Sequence, residues 1–140
     1  MALEIAERER EGVIILALKG RITMSEVSPV RDKVAALLAD GHNQIVLDLG
    51  DVDYIDSTGL GNLVISFTQA KKAGGALKLV RLNRRNVELL ALTRLHTVFE
   101  VFEEETDAVN SFYPGREIKR FDILSFVQQR HETEPSADAE

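Results

Sequence analysis

Two periodicities alternate along the first 112 residues of this chain, and that alternation constrains its fold more than any other feature. Val13-Ile14-Ile15-Leu16-Ala17-Leu18 and Ile45-Val46-Leu47-Asp48-Leu49 are short, nearly unbroken apolar runs, and each is followed by a stretch with apolar residues at helical spacing. A run of the first kind reads as a strand covered on both faces. Strands alternating with helices imply an α/β layer architecture with a largely parallel or mixed sheet, because each crossover helix has to cover an apolar sheet face.

The first run is expected to pair with a strand near residues 2–7. From Ser25 to Asp40, Val27, Val30, Val34, Leu37 and Leu38 predict a helix closed by Gly41. The second strand leads through an acidic turn, Asp51-Val52-Asp53-Tyr54-Ile55, into a helix from about Ser57 to Ala73 that Gly74-Gly75 ends. Ala76 to Leu82 reads as a strand, Arg84 to Thr93 as a helix with Val87, Leu90 and Ala91 inward, Val98 to Phe102 as a last strand, and Glu103 to Phe112 as a closing helix. A chain of 140 residues can bury one sizeable core but is short for two ordinary domains. Residues 1–112 are therefore read as the domain. Beyond Pro114-Gly115, Phe121, Ile123, Leu124, Phe126 and Val127 predict an extra amphipathic C-terminal helix within an extension spanning 113–130. That extension is expected to dock on the body, with a dimer contact or a partner contact as alternatives. Residues 131–140 are predicted to be a disordered tail.

Charge and residue content exclude several functions. The chain carries 23 acidic and 17 basic residues, for a net charge of −6, and its basic residues are scattered, which argues against nucleic acid as a partner. Cysteine is absent, which removes disulfides, thiolate metal sites and thiol nucleophiles. His42, His96 and His131 fall in no metal-ligand spacing, so neither a metal nor a cofactor is expected. Asp48, Asp51, Asp53 and Asp56 form a local acidic group, but strand alternation sends Asp48 away from the rest, and they read as solvated turn carboxylates. Lys71-Lys72 and Arg84-Arg85 read as solvated pairs at helix ends, and Gly74-Gly75 lacks the surroundings of a phosphate loop. The N-terminal residues lack the apolar stretch of a signal peptide, and no run has membrane-spanning length. The sequence thus predicts a soluble, cytoplasmic protein without membrane insertion.

The segment Asp56-Ser57-Thr58-Gly59-Leu60-Gly61 places hydroxyls and free backbone N–H groups at the positive end of a helix. The plain reading is a helix cap by Asp56 or Ser57. Capping does not account for Gly59 and Gly61, each of which costs roughly 1 kcal/mol relative to alanine in a helix. Either a partner or a packed neighbour could require their small size. Leu60, Leu63, Val64 and Phe67 form the core stripe of this helix, leaving Thr58, Asn62, Ile65 and Gln69 on the other side. Ile65 is then an exposed apolar contact or a second core position. A hydrolase using Ser57 would need a base, but no histidine lies near it in sequence and the Gly-x-Ser-x-Gly elbow is absent. No enzymatic activity and no catalytic residue are expected.

Ile45 to Leu49 followed by Val52 to Gly61, together with Ala73-Gly74-Gly75-Ala76-Leu77-Lys78-Leu79 and Val87 to Phe99, resembles the STAS domains of bacterial anti-sigma factor antagonists. The similarity covers roughly residues 2–112. It implies a STAS-type fold, a mixed central sheet flanked by helices. It further implies a protein-interaction switch in which the unphosphorylated antagonist binds an anti-sigma factor serine kinase, so releasing a sigma factor, and phosphorylation ends the binding. The first hydroxyl after the Asp is the phosphoacceptor in that family, which carries over to Ser57, with Thr58 as second choice. The implied partner surface comprises Thr23, Asp56, Ser57, Thr58, Gly59, Gly61, Asn62 and Ile65. Thr23 stands where many phosphorylatable members carry an Asp. With the C-terminal extension, it motivates an alternative: a STAS scaffold subunit of a signalling or lipid-transport assembly without phosphoryl switching.

Overall fold

A computed structural model describes residues 3–24, 26 and 28–133, with side chains as far as Gln128. Its elements run β1 (Glu4–Arg10), β2 (Val13–Ile22), α1 (Ser28–Ala39), β3 (Gln44–Ile55), α2 (Ser57–Lys72), β4 (Ala76–Val80), α3 (Arg84–Leu92), a 3-10 turn (Leu95–Thr97), β5 (Val101–Phe102), α4 (Glu105–Asn110) and α5 (Ile123–Thr133). The strands lie in sequence order in one five-stranded sheet. Only the β1–β2 pair is antiparallel, and the other pairs are parallel. The α/β architecture expected from the alternating periodicities is the one observed.

Residue alternation decides what each sheet face meets. Ile14, Leu16 and Leu18 of β2, Ile45, Leu47 and Leu49 of β3, and Leu77 and Leu79 of β4 join one core with Val30, Val34 and Leu37 of α1, Leu60 and Leu63 of α2, and Val87 and Leu90 of α3. The intervening residues Val13, Ile15, Val46 and Val80 form a second, smaller core with Phe102 and with Ala108 and Val109 of α4. Double coverage explains why β2 and β3 read as unbroken apolar runs.

Three expectations need correction. Asp51 to Ile55 is not a turn: β3 continues through Ile55, because β2 also runs on to Ile22 and supplies backbone partners, pairing Lys19 with Asp51 and Ile22 with Ile55. The register shifts between Ala17 and Lys19 and between Gly20 and Arg21 mark bulges along this stretch. Within it Val52 and Ile55 turn inward while Asp51 and Asp53 face solvent. The last strand is only Val101–Phe102, since residues 95–97 coil into a 3-10 turn. Asp48 is not solvated. It is 5% exposed and accepts both Nε and Nη2 of Arg81 at 3.0 Å. Ser25 and Val27, at the predicted start of α1, and residues 134–140 of the predicted tail lie outside the described residues.

The segment after α4 lies against the domain. Phe121 N–H donates to the Val101 carbonyl at 2.9 Å, giving the short β5 a neighbour along its edge. Ile123 is buried in the main core, with Phe121, Phe126 and Val127 packed against it. Arg120 donates to Glu100, which also pairs with the buried Lys78 at 3.3 Å. No helix among the described residues is long and apolar enough to cross a membrane.

On the opposite sheet edge, Arg8 and Arg10 of β1 both bond the Glu105 carboxylate at the start of α4. The hydrogen bond from Arg8 and, after it, the one from Arg10 lower the Glu105 pKa to about 2 against the opposing effect of burial. A depressed acid pKa contributes stability above the unfolded value, and the contribution disappears as pH falls through the folded value. Because the arginines are largely exposed, the contribution is about 1 kcal/mol rather than the full linkage value. Urea unfolding of Glu105→Gln beside wild type should show that gap at pH 7 and its closure as pH falls from about 4.5 toward 2.

Candidate functional site

The site is built where β3 ends and α2 begins. Asp56 N–H donates to the Ile22 carbonyl at 3.1 Å, tying the exit of β3 to the end of β2. With φ −89° and ψ 176°, Asp56 is the extended N-cap of α2, and its Oδ1 accepts Gly59 N–H at 2.7 Å. Its Oδ2 accepts Met24 N–H at 3.1 Å. One carboxylate thus closes the first turn of α2 and holds the turn after β2, where the half-buried Thr23 lies. Losing both bonds in Asp56→Ala should cost about 1–2 kcal/mol by urea denaturation, whereas Asp56→Asn, which still has a capping oxygen, should lose less.

Of the two alternatives for the glycines, a packed neighbour is the one found at Gly59. A Cβ there would lie 2.1 Å from the Ile22 carbonyl oxygen, and the residue is buried. Gly59 therefore shapes the surface from beneath and presents no side to a partner. Gly61 differs: a Cβ there would meet nothing within 4 Å.

Ser57, Thr58, Gly61 and Ile65 face solvent along α2. Asn62 crosses this strip, donating to the Thr58 carbonyl at 3.0 Å and accepting from Arg31 of α1 at 3.3 Å. Ile65 is 47% exposed and Met24, on the turn held by Asp56, is 71% exposed. The strip is small at its N-terminal end and carries the apolar Ile65 farther along, ahead of the exposed Thr68 and Gln69. The predicted residues Thr23, Asp56, Ser57, Thr58, Gly61, Asn62 and Ile65 thus fall on α2 and the adjoining turn.

A second feature had not been anticipated. Between α2 and α3 runs a cleft of about 500 Å³ whose lining includes Tyr54, Ser57, Leu60, Arg85, Leu89 and Leu92. Leu92 is 83% exposed. The Tyr54 ring holds two guanidiniums, with Arg21 Cζ 5.1 Å and Arg85 Cζ 4.6 Å from its centroid. Asn86 also lines the cleft: its Nδ2 donates to the Val52 carbonyl at 3.1 Å, while its buried Oδ1 has no donor. The sequence signal for Arg85 was the Arg84-Arg85 pair, which reads as a helix end. Its meeting with a ring on β3 is a long-range event that no local spacing announces. Among the described residues no cluster of three or more histidines and carboxylates is placed to hold a metal ion.

The family model of the STAS domain matches residues 4–108. The chain belongs to the STAS domain family. This STAS protein is 33% identical over 101 residues to the anti-sigma-B factor antagonist of Bacillus subtilis, covering 72% of this chain and 92% of that one. Its fold is similar to that of the protein TM1081 of Thermotoga maritima, with a TM-score of 0.73, 26% identity and coverage of 77% of this chain and 93% of that one. It also shares its fold with the Bacillus cell fate determinant SpoIIAA in its phosphorylated form, at a TM-score of 0.61 and 14% identity, over 77% of this chain and 98% of that one. The helix carrying Ser57 and the cleft beside it both lie within the matched STAS segment.

Proposed function

We propose that this STAS protein is an anti-sigma factor antagonist that binds an anti-sigma factor serine kinase through the outer face of α2, and that phosphorylation of Ser57 ends the binding. The observation that carries the reading is the division of labour at the head of α2. Asp56 makes the cap, so the exposed Ser57 hydroxyl is not spent on closing the helix. A hydroxyl in that position can be reached by a kinase without unfolding the domain.

The relatives support the partner class, since they include the anti-sigma-B factor antagonist of Bacillus subtilis, and a phosphorylated form of SpoIIAA supports the modification. Electrostatics supports the switch. A phosphoserine adds about −1.5 to −2 charges at pH 7, tolerable at a helix N-terminus but set beside Asp56 and near Asp53. A partner surface fitted to a neutral hydroxyl rejects that charge while the fold keeps its core. Ser57 is in this reading a substrate of the partner and not a nucleophile.

The test is a pull-down of the cognate anti-sigma factor by wild type, Ser57→Ala and Ser57→Asp. Wild type and Ser57→Ala should retain it and Ser57→Asp should lose at least tenfold in affinity. Equal capture by all three would refute the charge switch.

A further inference from the structure

Ser57 and Arg85 line the same cleft, from α2 and α3, and Arg85 now rests on the Tyr54 ring beside a second guanidinium, that of Arg21. Two like charges drawn to one ring repel each other, and the attraction holding each there is weak, about 0.5–1 kcal/mol at an exposed site. A dianion brought into the cleft competes for these cations on better terms, since a guanidinium binds phosphate oxygens through paired, charge-assisted N–H bonds. The exposed Arg85 side chain has only to leave the ring to reach it.

We propose that Arg85 is the in-chain receiver of a phosphate on Ser57, with Arg21 as the supporting cation, so that phosphorylation closes the cleft between α2 and α3 from within. The proposal rests on the phosphorylation reading given above and deepens it. Under simple repulsion the phosphate disturbs only the partner. Under closure, the phosphate and Arg85 together occupy the space flanked by Leu60, Leu89 and Leu92 and remove a docking cleft. Closure also offsets the carboxylates near the phosphate, Asp53 and Asp56 on the approach to α2 and Glu88 on α3. Arg31 is the rival cation: it sits on the α1 side of α2, bonded to Asn62.

The experiment needs no kinase. Phosphoserine is installed at position 57 by genetic encoding in the full chain, and the phosphate is titrated by phosphorus NMR. With Arg85 present, the second ionisation of the phosphate should fall at lower pH than in Arg85→Ala, by roughly half a unit or more, and Arg85→Lys should recover part of the difference. Arg31→Ala and Arg84→Ala should leave the titration unchanged, since neither lines the cleft nor rests on the Tyr54 ring. Circular dichroism establishes that each variant is folded, as expected for exposed arginines. Identical titrations for wild type and Arg85→Ala, or a shift that follows Arg31, would overturn the proposal. Because the phosphoserine is encoded and no kinase is used, that failure is separable from failure of a kinase to modify Ser57.

Discussion

Gly59→Ala is expected to destabilise the protein by about 3 kcal/mol, a large share of the roughly 5–15 kcal/mol that holds a domain of this size. The added methyl would sit 2.1 Å from the Ile22 carbonyl oxygen and 2.9 Å from Ile22 Cγ2, so the neighbour that must yield is backbone. That same carbonyl accepts Asp56 N–H, and moving it opens the junction of β2 and β3 as well as the first turn of α2. Ile22 has no room to retreat, being fully buried in the main core. Gly61→Ala is the matched control two residues on. Its methyl meets open space, so the helix-propensity gain of up to about 1 kcal/mol should appear undiminished. Urea denaturation of the two variants should therefore move in opposite directions. Destabilisation by both, or by neither, would contradict the packing described at Gly59.

The second large effect is on binding. Phosphoserine at position 57 should weaken affinity for the partner at least 100-fold by isothermal titration calorimetry, while the melting temperature changes by only a few degrees. The fold tolerates the charge because Ser57 is exposed and makes no cap, and the helix N-terminus favours an anion by about 0.3–1 kcal/mol. Affinity has no such reserve, since desolvating a dianion at an interface costs several kcal/mol. An alanine at the same position adds no charge and should bind nearly as wild type does. A phosphoserine form that binds as tightly as the unmodified protein would place the interface elsewhere.

The core strands and helices were legible in the sequence because their signals are local: β2 and β3 as apolar runs, α1 and α2 as stripes at helical spacing. The acidic end of β3 was not. Asp51 and Asp53 look like turn residues until β2 extends alongside them, and that pairing joins residues far apart in sequence, as Ile22 with Ile55. The pairing of the buried Asp48 with the exposed Arg81 was missed for the same reason. Gly50, where a Cβ would lie 2.8 Å from Arg81 Nη2, is a local trace of it. At the site, the cap and the outward face of α2 followed from spacing, and of the two readings left open for Ile65 the structure shows it exposed and not a second core position. The cleft did not, because Tyr54 of β3 meets Arg85 and Leu92 of α3 only through the packing of α3 against the end of β3. The role of Gly59 required knowing which backbone lies against it.

The central claim is tested most directly by phosphotransfer. The protein is incubated with ATP and its cognate anti-sigma factor kinase, whose activity is established on a second substrate, and the phosphate is mapped by mass spectrometry. The account predicts one phosphate on Ser57, lost in Ser57→Ala and retained in Thr58→Ala. An unmodified Ser57 under an active kinase, or a phosphate carried by Thr58, would contradict it.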